Sequence, residues 1–157
     1  MDFETAFERL VGHEGGLVDH PADPGGLTKY GISQRSYPGE DIRGMTLERA
    51  RFLYRRDFWG PSGCDAVPDT IKFLMFDAGV NSGPAAAIKL LQRSVGTTED
   101  GILGPITLTA AGSMHPARLV SRLSAHRLLL MADLPTWPAF GRGWARRVAA
   151  NLLEASS

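Results

Sequence analysis

The sequence predicts a mainly α, α+β fold, with about seven helices around a buried central helix and a small β-hairpin lobe. Apolar side chains recur at helical spacing along most of the chain. Residues 15–45 are instead rich in Gly, Pro and Asp, with short β-like runs at 17–18 and 30–32, which favours a loop with a hairpin. Residues 68–81 are apolar nearly all round, and a helix without a polar face is a buried one.

The helices are delimited by their apolar period and by capping residues. Phe3, Phe7 and Glu14 fall on one face of the first helix. Thr46 is a typical N-cap for the second helix, which should bury Leu47. Helices are predicted over about residues 2–13, 46–58, 68–81, 85–95, 105–111, 116–132 and 140–153.

Composition excludes some classes of protein and leaves others open. The chain has 157 residues and no net charge, which argues against a duplex nucleic-acid binder. The second half is nonetheless rich in arginine, and such a face suits either an anionic polymer or ordinary solvent exposure. Cys64 is the only cysteine, so no internal disulfide forms, and the four histidines lack zinc-site spacing. We expect no metal, no cofactor and no membrane span.

Two acids carry the chemistry that the sequence suggests. Glu14 leaves an apolar helical face for a glycine turn, and such surroundings raise the pKa of a carboxyl group toward that of a general acid. Asp23 lies in an Asp-Pro-Gly-Gly segment, which is good turn chemistry in its own right and can also present a carboxylate rigidly. Two carboxylates in contrasting environments are typical of glycoside hydrolysis. Asp19 is the rival of Asp23 for the second position.

A family resemblance extends this interpretation. Residues 14–33 closely resemble the signature of the glycoside hydrolase 108 N-acetylmuramidases, a lysozyme-like family that includes phage endolysins and secretion activators. Residues 76–83 resemble the second block of that family, and residues 100–107 and 143–147 resemble its predicted peptidoglycan-binding half. The resemblance implies a lysozyme-like fold, with a catalytic part over 1–82 and a helical peptidoglycan-binding part over 83–157, packed as one globular unit.

The resemblance also assigns roles to residues. It implies that Glu14 protonates the leaving oxygen. Asp23 is the candidate to position the attacking water, and Thr28, five residues further on, has a hydroxyl that could hold this water, although an ordinary strand threonine would explain it equally well. Tyr30, Asn81 and His20 are the expected substrate-binding residues, although a structural hydrogen bond would explain Asn81 equally well. The expected reaction is inverting hydrolysis of the β-1,4 bond between N-acetylmuramic acid and N-acetylglucosamine. The alternatives are a non-catalytic wall-binding or secretion-assisting protein and a lytic transglycosylase.

The same resemblance bears on partners and location. The expected partner is bacterial peptidoglycan, bound by a monomer. Because residues 1–4 include acids and begin no long apolar run, we expect no signal peptide. A wall-degrading enzyme of this kind would stay in the host cytoplasm until a holin released it to the cell wall in the periplasm.

Overall fold

The computed structural model describes residues 1–12, 16–19 and 25–155 of the chain. They form two compact units, an N-terminal unit of residues 2–57 and a C-terminal unit of residue 1 with residues 58–157. Among the described residues, α-helices dominate and the strands form a single two-stranded antiparallel sheet, which confirms the mainly α prediction. The elements are α1 Phe3–Val11, β1 Thr28–Lys29, β2 Ile32–Ser33, α2 Leu47–Tyr54, α3 Lys72–Ser82, α4 Pro84–Val95, α5 Pro105–Ser113, α6 Pro116–Ala132 and α7 Trp137–Ala155.

Helix α1 begins as its capping residue predicts and ends slightly early. The Asp2 carboxylate accepts a hydrogen bond from the Thr5 backbone N–H at 2.9 Å, which satisfies one free donor of the first turn. Gly12 takes a φ of +63° after Val11, a conformation that glycine adopts at little cost. The helix therefore stops before Glu14, which lies outside the described residues.

The predicted hairpin is present in the N-terminal unit. Thr28 pairs with Ser33 and Lys29 with Ile32 in antiparallel register. The two turn residues between the strands, Tyr30 and Gly31, have φ values of +50° and +76°. Positive φ at both central positions is the geometry of a type I′ turn, whose twist matches that of the strands it joins.

Helix α2 confirms the predicted cap and corrects one buried residue. The Thr46 hydroxyl accepts a hydrogen bond from the Arg49 N–H at 3.1 Å. Leu47, which the apolar pattern predicts to be buried, is 42% exposed, because this face of α2 is covered only from Ala50 onward. The helix continues into a π-helical turn, Arg55–Trp59. The boundary between the two compact units falls inside this turn, between residues 57 and 58.

Helix α3 is the buried helix that the sequence predicts. It follows a 3₁₀ turn, Asp69–Ile71, and every residue from Phe73 to Gly79 is buried. It packs against α4 and α6 of the same unit, while α6 packs against α7. The apolar segment 68–81 thus forms the centre of the C-terminal unit.

A charged cluster joins three helices of the C-terminal unit. Asp77 of α3 is 1% exposed, and its carboxylate lies 2.6 Å from Nη1 of Arg127 on α6. Arg147 and Asn151 of α7 also donate to that carboxylate, from Nε at 2.8 Å and from Nδ2 at 2.9 Å respectively. Burial alone would raise the pKa of Asp77, but the two arginine charges hold it below its ordinary value. These partners satisfy the carboxylate of Asp77, which is a charged group on an otherwise apolar helix.

One glutamine organises the loop between α4 and α5. Gly96 ends α4 in a left-handed conformation. Gln92, which is buried, donates from Nε2 to the Asp100 carboxylate at 2.6 Å and accepts from the Gly101 N–H at 2.9 Å. The turn around Asp100 is therefore fixed to the helix that precedes it. No helix in the described part of the chain is long and apolar enough to cross a membrane.

Candidate active site

The residues predicted to form the site fall into three groups. Glu14, His20 and Asp23 lie outside the described residues. Thr28 and Tyr30 lie together on the hairpin of the N-terminal unit, whereas Asn81 lies in the last turn of α3 in the C-terminal unit. The described geometry of the site is therefore that of the hairpin and its supports.

Thr28 is fixed by hydrogen bonds of its backbone and of its side chain. Its N–H and carbonyl exchange hydrogen bonds with Val18, both at 2.8 Å. Its hydroxyl donates to the Gly26 carbonyl at 3.2 Å. Because a hydroxyl has one donor and two acceptor positions, the Thr28 oxygen keeps the capacity to accept a hydrogen bond from a water.

The bridge between Val18 and Thr28 joins two residues that lie on either side of Asp23 in the sequence. The Gln34 N–H donates to the Leu27 carbonyl at 2.8 Å and extends the same ladder on the far side of the hairpin. Hydrogen bonds thus hold β1 on both sides, to Val18 and to Gln34.

Tyr54 supports the turn of the hairpin, a role that sequence periodicity did not reveal. Its hydroxyl donates to the Tyr30 carbonyl at 3.1 Å, and its ring packs edge-on against Phe7 with centroids 5.5 Å apart. The same hydroxyl lies where a Cβ of Gly31 would be, so that only glycine fits there. Helices α1 and α2 and the hairpin are in this way held as one group in the N-terminal unit.

The side chain of Tyr30 remains available at the tip of the hairpin. It is half-buried, and the Lys29 ammonium lies 5.5 Å from the centre of its ring. That distance allows a cation–π interaction that orients the ring. Lys29 also donates to the Arg43 carbonyl at 3.3 Å, which connects the hairpin to the following loop.

Asp19, the rival of Asp23, has a partner of its own. Its carboxylate accepts from Nη2 of Arg43 at 3.1 Å, and both side chains are well exposed. The two residues are 24 positions apart, so no local spacing could have indicated the pair. An exposed ion pair of this kind is weak and exchanges readily with water.

Asn81 makes a structural hydrogen bond, which is one of the two roles that the sequence allows for this residue. Its Nδ2 donates to the Asp77 carbonyl one helical turn earlier, at 2.7 Å, and the residue is exposed. A helical carbonyl that accepts from a side chain in this way is common near the end of a helix. A role for Asn81 in substrate binding stays a prediction.

The loop behind the hairpin contains a perturbed pair of ionisable groups. The Tyr37 hydroxyl donates to the Asp57 carboxylate at 2.9 Å. Burial is the main cause that raises the pKa of Tyr37 well above its ordinary value. The hydrogen bond to Asp57 and the negative charge of Asp57 raise it further. The hydrogen bonds and charge of Arg56 lower the pKa of Asp57. Tyr37 is thus a neutral donor that fixes this loop, and within the described residues no three metal-binding side chains cluster.

Comparisons with family models and with solved structures give matches that together cover most of the chain. The family model for glycosyl hydrolase 108 matches residues 7–83, and that for a predicted peptidoglycan domain matches residues 86–149. The solved structure of SagA from Brucella abortus is 34% identical in sequence and superposes with a TM-score of 0.87, over 98% of this chain and 92% of that one. The chain belongs to glycosyl hydrolase family 108. A search of the curated proteins found no match.

Membership of family 108 confirms the resemblance seen in the sequence. The two matched ranges support a glycoside hydrolase that acts on peptidoglycan, and the likeness to SagA confirms the lysozyme-like, mainly α fold class. The matched ranges meet near residue 84, whereas the compact units meet at residues 57 and 58. Helix α3 thus belongs to the first matched range and to the C-terminal unit, and the division at residues 82 and 83 stays a prediction.

Proposed function

We propose that this family 108 chain is an N-acetylmuramidase that cleaves the β-1,4 bond between N-acetylmuramic acid and N-acetylglucosamine in bacterial peptidoglycan. One observation carries the proposal. A glycosyl hydrolase match and a peptidoglycan match adjoin in a single chain, and Glu14 and Asp23 both fall within the first. A paired acid and base are what hydrolysis of a glycosidic bond requires.

In the proposed reaction, Glu14 protonates the oxygen of the leaving sugar while a water attacks the opposite face of the ring. Asp23 accepts a proton from that water, and Thr28 orients it. The hydrogen bond from Thr28 to the Gly26 carbonyl supports this role, because it uses the hydrogen of the hydroxyl and leaves its oxygen able to accept from a water. Tyr30, at the tip of the same hairpin, would contact the saccharide, and so would His20.

We also propose that the reaction inverts the anomeric configuration. Inversion requires the two carboxyl groups to lie roughly 6.5–9.5 Å apart, which leaves room for a water, whereas a covalent intermediate requires about 5–5.5 Å. A threonine beside the second carboxylate supports the first arrangement, because there the water attacks the sugar from between that carboxylate and the ring. NMR of the newly formed anomeric centre tests this, because β-configured muramic ends that appear first would exclude inversion.

The decisive test of function compares Glu14→Gln with Glu8→Gln, a matched change on the exposed face of α1. We expect Glu14→Gln to lower the rate of wall lysis by at least about a hundredfold, the scale of general acid catalysis, and Glu8→Gln to leave it unchanged. Mass spectrometry of the products separates the alternatives. Reducing ends indicate hydrolysis, anhydro-muramoyl ends indicate transglycosylation, and intact glycan with bound protein indicates a binding protein.

Release and location belong to the same proposal. We propose that the monomer reaches the wall in the periplasm through a holin. Expression of the chain in a bacterial host, with and without a co-expressed holin, tests this. Lysis without the holin would contradict it.

A further inference from the structure

Tyr30 has the one positive φ found outside glycine in the described part of the chain. Its φ of +50° lies in the left-handed region, which disfavours residues larger than asparagine or aspartate. A type I′ turn usually has asparagine, aspartate or glycine at this first central position, followed by glycine. Gly31 follows that preference and Tyr30 does not. A residue in such a conformation persists only where its surroundings hold it, and residues of this kind cluster at functional sites.

Tyr54 holds the turn in this conformation. Its hydroxyl donates to the Tyr30 carbonyl at 3.1 Å and lies where a Cβ of Gly31 would be. Tyr54 itself is 4% exposed, and its ring packs edge-on against Phe7. Close packing of this kind leaves the hydroxyl little freedom to move. The turn therefore rests on a rigid donor that fits beneath it only while position 31 is glycine.

The fold uses the backbone of Tyr30 and makes little use of its side chain. The carbonyl that accepts from Tyr54 would be present with any residue at position 30. The ring is half-buried, and no residue in the described ranges forms a hydrogen bond with its hydroxyl. Its closest described charge is the Lys29 ammonium, 5.5 Å from the ring centre. A strained position thus holds a large aromatic side chain that the described contacts do not require.

We propose that Tyr54 is a positioning residue for the saccharide site. It holds Tyr30 in the strained turn and so fixes the direction in which the Tyr30 ring meets a sugar of the glycan strand. The negative face of an aromatic ring attracts the weakly positive C–H groups of a pyranose, and this contact depends on the angle between the two rings. A rigid turn keeps that angle constant. The choice of a peptidoglycan glycan as ligand rests on the proposed function.

A double-mutant cycle tests whether Tyr54 acts through Tyr30, with soluble glycan strands of peptidoglycan as substrate. We expect Tyr30→Asn to raise KM by about fivefold or more while kcat stays within about twofold, since it removes a binding contact. Tyr30→Phe keeps the ring and should recover most of that loss. Tyr54→Phe should raise KM by about threefold in the parent chain but change it little in the Tyr30→Asn background, where no ring remains to be positioned.

Thermal unfolding separates this role from a structural one. Tyr30→Asn should raise the melting temperature by about 2–4 °C, because asparagine tolerates the left-handed region. The matched control is Tyr37→Phe, which removes another tyrosine hydroxyl of the same unit, one that donates to Asp57 at 2.9 Å. It should lower the melting temperature, as Tyr54→Phe does, and leave KM unchanged.

Three results would overturn the proposal. They are an equal effect of Tyr54→Phe on KM in both backgrounds, an unchanged KM in Tyr30→Asn, and a lower melting temperature of Tyr30→Asn, which would mean that the fold needs the ring. Failure of the proposed function looks different, because the wild-type chain would then cleave nothing. The same cycle is in that case measured on the dissociation constant for glycan strands, where coupling supports the positioning role and independent or absent effects overturn it.

Discussion

Asparagine in place of Asp77 tests the charged cluster at the centre of the C-terminal unit. Asp77→Asn preserves the shape of the side chain but removes the negative charge that Arg127 and Arg147 share. Arg127 is 3% exposed and cannot turn to solvent, so its charge would be left buried without compensation. Arg147, with a side chain that is 40% exposed, can reach water and should matter less.

The size of the effect follows from that burial. Breaking a buried ion pair by removing one partner costs about 3–5 kcal/mol of unfolding free energy. For a chain of this length each kcal/mol shifts the melting temperature by roughly 2–4 °C, so we expect a fall of roughly 6–20 °C. Replacing both partners, as in Asp77→Leu with Arg127→Met, should recover most of the loss, because well-packed apolar residues can substitute for a buried pair.

Calorimetry and urea denaturation measure these changes. The matched control is Asp69→Asn, an aspartate of the same unit that is 73% exposed and paired with Lys72, and it should change the melting temperature little. The pKa of Asp77 lies below its unfolded value of about 3.9, so its contribution to stability is present above that pH and is lost as the pH falls. Asp77→Asn should flatten this acid limb. A variant that melts within about 2 °C of the wild type would refute the reasoning.

Three further predictions concern the hairpin, its neighbouring loop and the arginines of α7. Gly31→Ala should destabilise the N-terminal unit by about 1–2 kcal/mol in thermal unfolding, through its left-handed φ and its overlap with Tyr54, whereas Gly39→Ala, at a position with open space, should not. Because the pKa of Tyr37 is raised, its phenolate should appear only above the usual pH of about 10 in ultraviolet titration, and the stability that its hydrogen bond provides should fall as the pH rises through that range. Replacing Arg142 and Arg146 with Gln, but not the Asp77 partner Arg147, should reduce the salt dependence of binding to walls, since exposed charges are screened over about 10 Å at 0.1 M salt. Unchanged salt dependence would identify these arginines as an ordinary solvated face.

The elements that the sequence predicted well are those whose signals are local. The Thr46 cap and the all-apolar segment of α3 involve neighbouring residues only. The errors are also local. Gly12 ended α1 sooner than the apolar period suggested, and the period could not show that the packed face of α2 is covered only from Ala50 onward.

The contacts that support the site and the core join residues far apart in sequence. The partners of Asp77 lie 50 to 74 residues away from it in the sequence. Tyr54 lies 24 residues from Tyr30, whose carbonyl accepts its hydrogen bond. Such pairs leave no periodic trace, because each residue looks ordinary in its own segment. The candidate acids themselves were found by a different route, through their chemistry and a run of some twenty residues that resembles the family.

The cluster around Asp77 limits how this chain can be divided by protein engineers. The two matched ranges meet near residue 84, so a chimaera could be made by cutting the chain there and transferring either half. A fragment cut there would retain Asp77 but lose Arg127, Arg147 and Asn151, and the other fragment would inherit a cationic cavity with no anion inside it. Helix α3 would also lose its packing against α4 and α6. Grafts that are meant to move wall-binding or lytic capacity between chains should therefore carry α3 together with α4 through α7, whichever half they are intended to borrow.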